Sequence, residues 1–392
     1  MKKTSCFILL LVFVLRGALA QKTQVAVYYF PNFHVNATNE KWHGKGWTEW
    51  DLVKAARPRL DGHLQPKVPT WGYFDEANPA WAAKEIDLAA NNGIDAFIYD
   101  WYWYESIEGK KYLHEGLENG FLKAPNNQRL KFAIMWANHD WMNIEPTPYT
   151  NFQEKQADGT LNMEAWDRLT SYVIENYFKR PNYWKIDGKP YFSIFHTINF
   201  IKGFGSIEKA AEAIKLFDDK VKKAGFPGLH LNLIDQCIAD LSVIQLFNVA
   251  SVTSYNYVYA YDLAKAPFPK AVYNDAVEAN LNYWPKIVGK LGKVPYIPNA
   301  SMGWDVTPRL IQTDKFDSFR GYPWTPVFNG DNTPEAFKTA LQKTKDFLDK
   351  NPSLPKIVTI NAWNEWTEGS YLLPEAKYGE GYLKAIKEVF GK

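Results

Sequence analysis

The sequence predicts a single-domain α/β protein, a (β/α)₈ barrel with a long, aromatic-rich loop after its first strand. Three observations lead there. Short apolar runs alternate with amphipathic helical stretches along the whole chain, the pattern of a parallel sheet wrapped by helices. Eight such runs can be counted. No run is followed by a dinucleotide fingerprint or a phosphate loop, which weighs against a doubly wound open sheet, the remaining alternative.

The chain has 392 residues. Residues 1–20 read as a signal peptide: Lys2 and Lys3 precede an apolar stretch from Phe7 to Leu15, and Ala18-Leu19-Ala20 forms a cleavage site before Gln21. Residues 21–392 are then the barrel domain, expected to be exported (periplasmic, cell-surface or secreted), monomeric and without a membrane span. Cys237 is the one cysteine beyond the leader, so stability must come from the core rather than from a disulfide. With 45 basic and 43 acidic residues, and no basic tract, nucleic acid is not an expected partner.

Val25–Phe30 is the first strand, a continuous apolar run suited to burial on both faces. The stretch from Asn32 to Asn78 is rich in His, Trp, Asn and Gly; loops of this length inside a domain are usually functional. A helix begins at Pro79 and stops at Asn91-Asn92-Gly93. Strands follow over 94–101, 131–137, 190–195, 229–234, 251–257, 294–299 and 356–362. Helices are expected over 112–122, 164–178, 206–223, 241–247, 275–291, 334–349 and 382–390.

A barrel builds its site at the C-terminal ends of its strands. There the sequence places Asp100 and Trp101; Trp136, Asn138 and His139; His196; Tyr255; and, after the eighth strand, Asn364, Glu365, Trp366 and Glu368. Amides, imidazoles and indoles with a few carboxylates suit sugar hydroxyls and ring faces. The 16 Trp and 23 Tyr allow two readings, stacking on sugars or an aromatic core. Glycoside hydrolysis needs two carboxyl groups flanking the bond, and Glu365 with Glu368, or one of them with Asp100, satisfies that. No histidine pair has helical i, i+4 ligand spacing and no G-x-S-x-G elbow is present, so neither a metal nor a cofactor is expected. In the loop after the seventh strand, Trp304, Asp305 and Arg309 either line a rim or, for the last two, pair with each other.

Several stretches together resemble the WbsX-like, glycoside hydrolase family 99-like proteins: Tyr28-Tyr29-Phe30-Pro31-Asn32-Phe33-His34, Gly44-Lys45-Gly46-Trp47-Thr48-Glu49-Trp50, Trp136-Ala137-Asn138, Gly303-Trp304-Asp305 with Thr307-Pro308-Arg309, and Asn361 to Gly369. The matches run from Tyr28 to about Pro374. The resemblance implies a barrel glycosidase, retaining and metal-free, acting on an oligosaccharide or polysaccharide such as an α-mannoside. It further implies that Glu365 withdraws the sugar 2-OH proton and Glu368 protonates the leaving oxygen. Tyr29, His34, Trp47, Glu49, Asp100, Trp101, Trp136, Asn138, His196, Tyr255, Trp304, Arg309, Asn364 and Trp366 are the candidate substrate-binding residues. A glycosyltransferase and a non-catalytic glycan-binding barrel are the alternatives.

Overall fold

In the computed structural model, which describes residues 22–146, 153–238 and 240–391, the first and last strands pair and close the sheet into a barrel. The leader expected over residues 1–20 lies outside the described residues. The parallel segments are β1 (Gln24–Tyr29), β2 (Ala96–Trp103), β3 (Lys131–Trp136), β4 (Lys189–Ile194), β5 (His230–Ile234), β6 (Ser251–Thr253), β7 (Tyr296–Ile297), β8 (Asn299–Ser301) and β9 (Ile357–Asn361). Their order is β7-β6-β5-β4-β3-β2-β1-β9-β8. The run expected as the seventh strand is β7 and β8 on either side of Pro298. Proline lacks the N–H that a continuous ladder needs. β7 pairs with β6, β8 pairs with β9, and the Pro298 carbonyl accepts the Thr359 N–H at 3.0 Å. Two half-strands therefore fill one stave, and the eightfold pattern holds.

The long first loop carries two short helices, α1 (Ala37–His43) and α2 (Trp50–Ala55). Asn36 caps the first through its side chain, which accepts the Thr38 and Asn39 N–H groups. The outer helices are α3 (Pro79–Asn91), α4 (Met163–Val173), α5 (Thr197–Phe204), α6 (Ile207–Lys223), α7 (Val243–Leu246), α8 (Tyr273–Leu291), α9 (Pro334–Lys350) and α10 (Gly381–Phe390). Asn78, Asn162, Ser206 and Thr333 cap α3, α4, α6 and α9 by accepting a first-turn N–H. Among the described residues no helix is long and apolar enough to cross a membrane.

Two expectations need correction. The helix expected over 112–122 is a two-residue antiparallel strand, Lys111–Tyr112, followed by a π turn at Gly116–Gly120 and a 3₁₀ turn at Phe121–Lys123. This segment presses against the end of the first loop: a Cβ on Gly120 would lie 2.2 Å from the Glu76 carbonyl oxygen. The strand expected over 251–257 stops at Thr253. Beyond it the Ser254 hydroxyl meets Asp235 and the Tyr296 hydroxyl, and Tyr257 donates its N–H to the Ser301 hydroxyl.

The two faces of the barrel wall differ. Outward side chains such as Phe97, Ile134 and Phe192 pack in the apolar layer beneath the helices. The interior is a ladder of small polar groups: Ser193 to Asn232 to Ser251 on one side, Thr253 to Thr359 to Asn299 to Ser301 on the other. Each is buried and hydrogen-bonded, the condition under which a polar group is tolerated there. Seven tryptophans (Trp101, Trp136, Trp166, Trp184, Trp284, Trp363 and Trp366) are fully buried. Core packing thus absorbs much of the aromatic surplus.

Gly120→Ala should destabilise the protein by about 3 kcal/mol, because the methyl group meets backbone and not a movable side chain. Urea unfolding followed by tryptophan fluorescence measures this; an unchanged midpoint would contradict the close approach.

Candidate functional site

The site is built from the tail of β9. Asn364 clasps the end of β1: its Oδ1 accepts the Phe30 N–H and its Nδ2 donates to the Phe30 carbonyl, both at 2.8 Å. That clasp holds Glu365 over the barrel mouth. A 3₁₀ turn, Trp366–Glu368, then brings Glu368 round to the same side and ends at Gly369 in the left-handed conformation (φ 65°).

A second segment lies against this turn. A Cβ on Gly303 would lie 2.0 Å from the Gly369 carbonyl oxygen, and one on Gly369 2.6 Å from the Asp305 Cβ. Only glycine permits that approach, and it lets the Asp305 N–H donate to the Glu368 carbonyl at 2.6 Å. Asp305 accepts from the Thr307 hydroxyl at 2.6 Å and contacts His63 Nε2 at 2.8 Å. It is thus committed to its own loop and to the first loop, and does not pair with Arg309. The 3₁₀ turn Thr307–Arg309 instead swings Arg309 over the carboxylates.

Arg309 is buried and contacts Glu368 at 2.8 Å, Glu49 at 3.2 Å and Glu365 at 3.9 Å. It also donates to the Tyr322 hydroxyl, which reaches Glu368 at 3.0 Å. Glu49 accepts further bonds from Asn32 and Thr367, each at 2.7 Å. On the far side, the Tyr255 hydroxyl lies 2.7 Å from Asp100 Oδ2 and 3.0 Å from Glu365 Oε2. A phenol has one proton to donate. Two hydrogen bonds to two carboxyl oxygens therefore require one of those carboxyls to be protonated and to donate in return. The other Asp100 oxygen has no partner, which fits a neutral acid there.

The electrostatics agree with that count. Burial pushes Asp100 up to about 8, with Glu368 adding to the shift. Burial, then repulsion from Glu368, raises Glu365 well above the carboxylate range. Burial raises Glu368 as well, against the opposing pull of Arg309 and Tyr322. Burial and the nearby Glu49 push Glu145, at the cleft edge, up to about 8. One guanidinium serves more carboxyl groups than it can neutralise, so the cluster holds protons near neutral pH.

The cleft over this cluster encloses about 180 Å³. Of the candidates, Asp100, His139, Tyr255, Trp304, Arg309, Glu365 and Glu368 line it. Glu49 and Asn364 stand behind them as braces. The others lie elsewhere, largely because successive strand residues face opposite ways. Trp101 bonds the Tyr177 hydroxyl and Trp136 packs on Trp166, both on the outer face. Tyr29 points out to Glu85, and Trp366 stacks on Tyr371 with centroids 4.0 Å apart. Asn138 ties β3 to the backbone of His196, which caps α5. His34 is held between Glu76 and Glu115, each 2.9 Å away, and Trp47 stacks on His43. Tyr102, Glu145 and Tyr322 line the cleft without having been singled out. Alternation from Asp100 points to Tyr102, whereas nothing in the sequence marks the two loop residues.

Two outcomes follow. Arg309→Met should cost about 3–5 kcal/mol of stability, since it strands the fully buried Glu49; urea unfolding that matched the parent would refute the bridging role. The second concerns pH. The folded chain holds a proton on Asp100 up to about pH 8, while the unfolded carboxyl releases it near 3.8. The stability from this group is complete below 3.8 and is lost as pH rises through about 8, by up to about 1.4 kcal/mol per pH unit. Asp100→Asn, which mimics the neutral acid, should remove that slope, so the parent loses stability relative to the variant as pH rises from 4.5 to 8. Parallel stability–pH curves would show that Asp100 is ionised.

The fold has solved counterparts. A structure described as a glycoside hydrolase-like protein superposes with a TM-score of 0.59 at 15% identity, covering 95% of each chain. The GH99 endo-alpha-mannosidase from Bacteroides thetaiotaomicron, in complex with BIS-TRIS-propane, gives 0.54 at 15% identity over 93% of this chain and 95% of that one. In sequence, the uncharacterised protein WxcX of two Xanthomonas campestris pv. campestris strains is 23% identical over 381 residues. That match takes in 93% of this chain, which spans about half the length of those relatives. The model of the family described as Glycosyltransferase WbsX matches residues 25–386, and the chain belongs to that family.

Proposed function

We propose that the protein is an exported, retaining glycoside hydrolase that cleaves a glycan, an α-mannoside or a related polysaccharide, with Glu365 and Glu368 as its catalytic pair. The observation that carries this reading is the pair itself: two buried carboxyls on one cleft, both raised, sharing Arg309 as counter-ion. Paired carboxyls that differ in proton affinity are what acid–base cleavage of a glycosidic bond requires. The fold shared with GH99 endo-alpha-mannosidase supports the reaction class by analogy.

In the proposed sequence Asp100 keeps its proton and bonds the Tyr255 oxygen, and Tyr255 donates to Glu365, leaving Glu365 ionised. Glu365 removes the 2-OH proton as O2 attacks the anomeric carbon. The glycosidic C–O bond breaks, and Glu368 delivers its proton to the leaving oxygen. Glu368, now ionised, takes a proton from water; the water oxygen bonds to the anomeric carbon and opens the three-membered ring, and Glu365 returns its proton to O2. Two inversions give net retention. Arg309 and Tyr322 stabilise Glu368 while it carries charge.

The family description favours a second reading, a glycosyltransferase using an activated sugar donor. The leader expected over residues 1–20 supports the hydrolase, because nucleotide sugars are cytoplasmic donors. Titration with nucleotide sugars separates the two: saturable binding would favour the transferase.

Glu365→Gln and Glu368→Gln should each lower turnover of a natural glycan by about 10²–10⁴-fold. A dinitrophenyl glycoside, whose leaving group needs no protonation, should restore the first, bond-cleaving step, read as a burst of dinitrophenolate, to the Glu368 variant and not to the Glu365 variant. Restoration of the Glu365 variant alone would exchange the two roles. Undiminished turnover in both would remove the pair from the chemistry.

A further inference from the structure

The imidazole of His139 has one nitrogen committed and one free. It stands just past β3, on the wall of the cleft. Nδ1 lies 2.9 Å from the Asp140 carbonyl oxygen, which can only accept, so Nδ1 carries the hydrogen. Burial first, then His196 and Arg309, hold the ring below its ordinary proton affinity, against the pull of Asp140. The ring is therefore neutral at pH 7, and Nε2 presents a bare lone pair. Among the described residues Nε2 has no hydrogen-bond partner, and it is not one of the polar atoms sealed from solvent.

Packing fixes the ring. It stacks on Trp141 with centroids 6.0 Å apart, and Phe195 and Tyr102 meet it edge to face at 5.9 and 6.0 Å. The His139 carbonyl accepts from the Tyr104 hydroxyl at 3.1 Å, and a Cβ on Gly159 would lie 2.5 Å from the same oxygen. The Tyr102 hydroxyl, on the same cleft, is likewise unpartnered among the described residues and not sealed from solvent. The cleft thus offers a fixed acceptor and a group that donates or accepts, a pair that sugar hydroxyls match. An acceptor-only anion does not match it. A uronate or a diphosphate would set its lone pairs against Nε2, with the carboxyls of Asp100 and Glu145 on the same cleft. Arg309, the one permanent cation among the described lining residues, is spent on Glu49 and Glu368.

We propose that His139 is a specificity-determining residue of the cleft: its Nε2 accepts a hydrogen bond from a hydroxyl of the bound sugar, and the unit held there is an uncharged glycosyl residue. The inference rests on the proposed glycan substrate and deepens it. It does not depend on cleavage, nor on which glutamate is the acid.

The test is ¹⁵N NMR of the full chain labelled at histidine, with His139 assigned by its loss in His139→Phe. The free protein should show the His139 Nε2 unprotonated at pH 7. Methyl α-D-mannopyranoside, methyl β-D-glucopyranoside and methyl β-D-glucuronide are then titrated. At least one neutral glycoside should bind and move the His139 Nε2 resonance, and the glucuronide should bind more weakly. His139→Phe, which keeps a ring in the aromatic cluster, should weaken the neutral glycoside about tenfold. Thermal melting checks that the variant folds, and the resonance shift in the parent stands without it. Each of five results overturns the role: a protonated Nε2 in the free protein, no binding of a neutral glycoside, binding that leaves Nε2 unmoved, a folded variant that binds as the parent does, or tighter binding of the glucuronide. Cleavage of a glycan panel is assayed separately on the parent. Cleavage with Nε2 unmoved by a bound glycoside refutes the role of His139 and leaves the hydrolase reading standing. Binding that moves Nε2, without cleavage of any glycan, supports the role and removes that reading.

Discussion

The buried guanidinium of Arg309 ties together three segments far apart in sequence. Glu49 comes from the loop after β1, Arg309 from the loop after β8, and Glu365 and Glu368 from the tail of β9. Removing such charges from water is unfavourable by several kcal/mol each, and only close mutual pairing offsets it. The pairing in turn depends on backbone geometry. Gly303 against Gly369, with the Asp305 N–H on the Glu368 carbonyl, brings the two C-terminal loops within reach of one another. The first loop joins through Glu49, and the Asn364 clasp on Phe30 holds the strand ends in register.

The same constraint sets the chemistry. A cluster with one cation and several buried carboxyls cannot hold them all ionised, so it stores protons. Where they sit follows from counting donors: Tyr255 bridges Asp100 and Glu365 with a single hydrogen, while Glu368 faces Arg309 and the Tyr322 hydroxyl. Asp100 thus holds a proton on one side of the cleft while Glu365 accepts from Tyr255, and Glu368 lies on the side nearest positive charge. In the proposed reaction a group placed between the two glutamates meets a base, Glu365, and an acid, Glu368, within one small cleft.

Much of the architecture was legible in the sequence because a strand buried on both faces shows as an apolar run. The breaks were not: β7 and β8 are parted by Pro298, and the 112–122 stretch becomes turns through the Gly120–Glu76 approach. At the site, the residues ending each strand could be found, but their facing depended on a register the runs do not reveal. Asp100 points in and Trp101 out; likewise Met135 lines the cleft and Trp136 faces the helix side. The tryptophan count pointed in part to sugar stacking, yet seven of these rings are core. Asp305 and Arg309, four residues apart, look like partners; the 3₁₀ turn sends them to opposite sides of one wall. Tyr322 and Glu145 stand in loops where no local pattern distinguishes them.

On the function proposed above, the cleft is a glycosidase site whose two glutamates handle the proton inventory of bond cleavage. The most direct measurement is ¹H NMR of the purified protein with a panel of glycans, no nucleotide sugar being present, with the anomeric signals followed from the first turnover. The account predicts cleavage in which the new reducing end appears first in the anomeric configuration of the bond that was broken. A first product of inverted configuration, or no cleavage of any glycan together with saturable nucleotide-sugar binding, would contradict it.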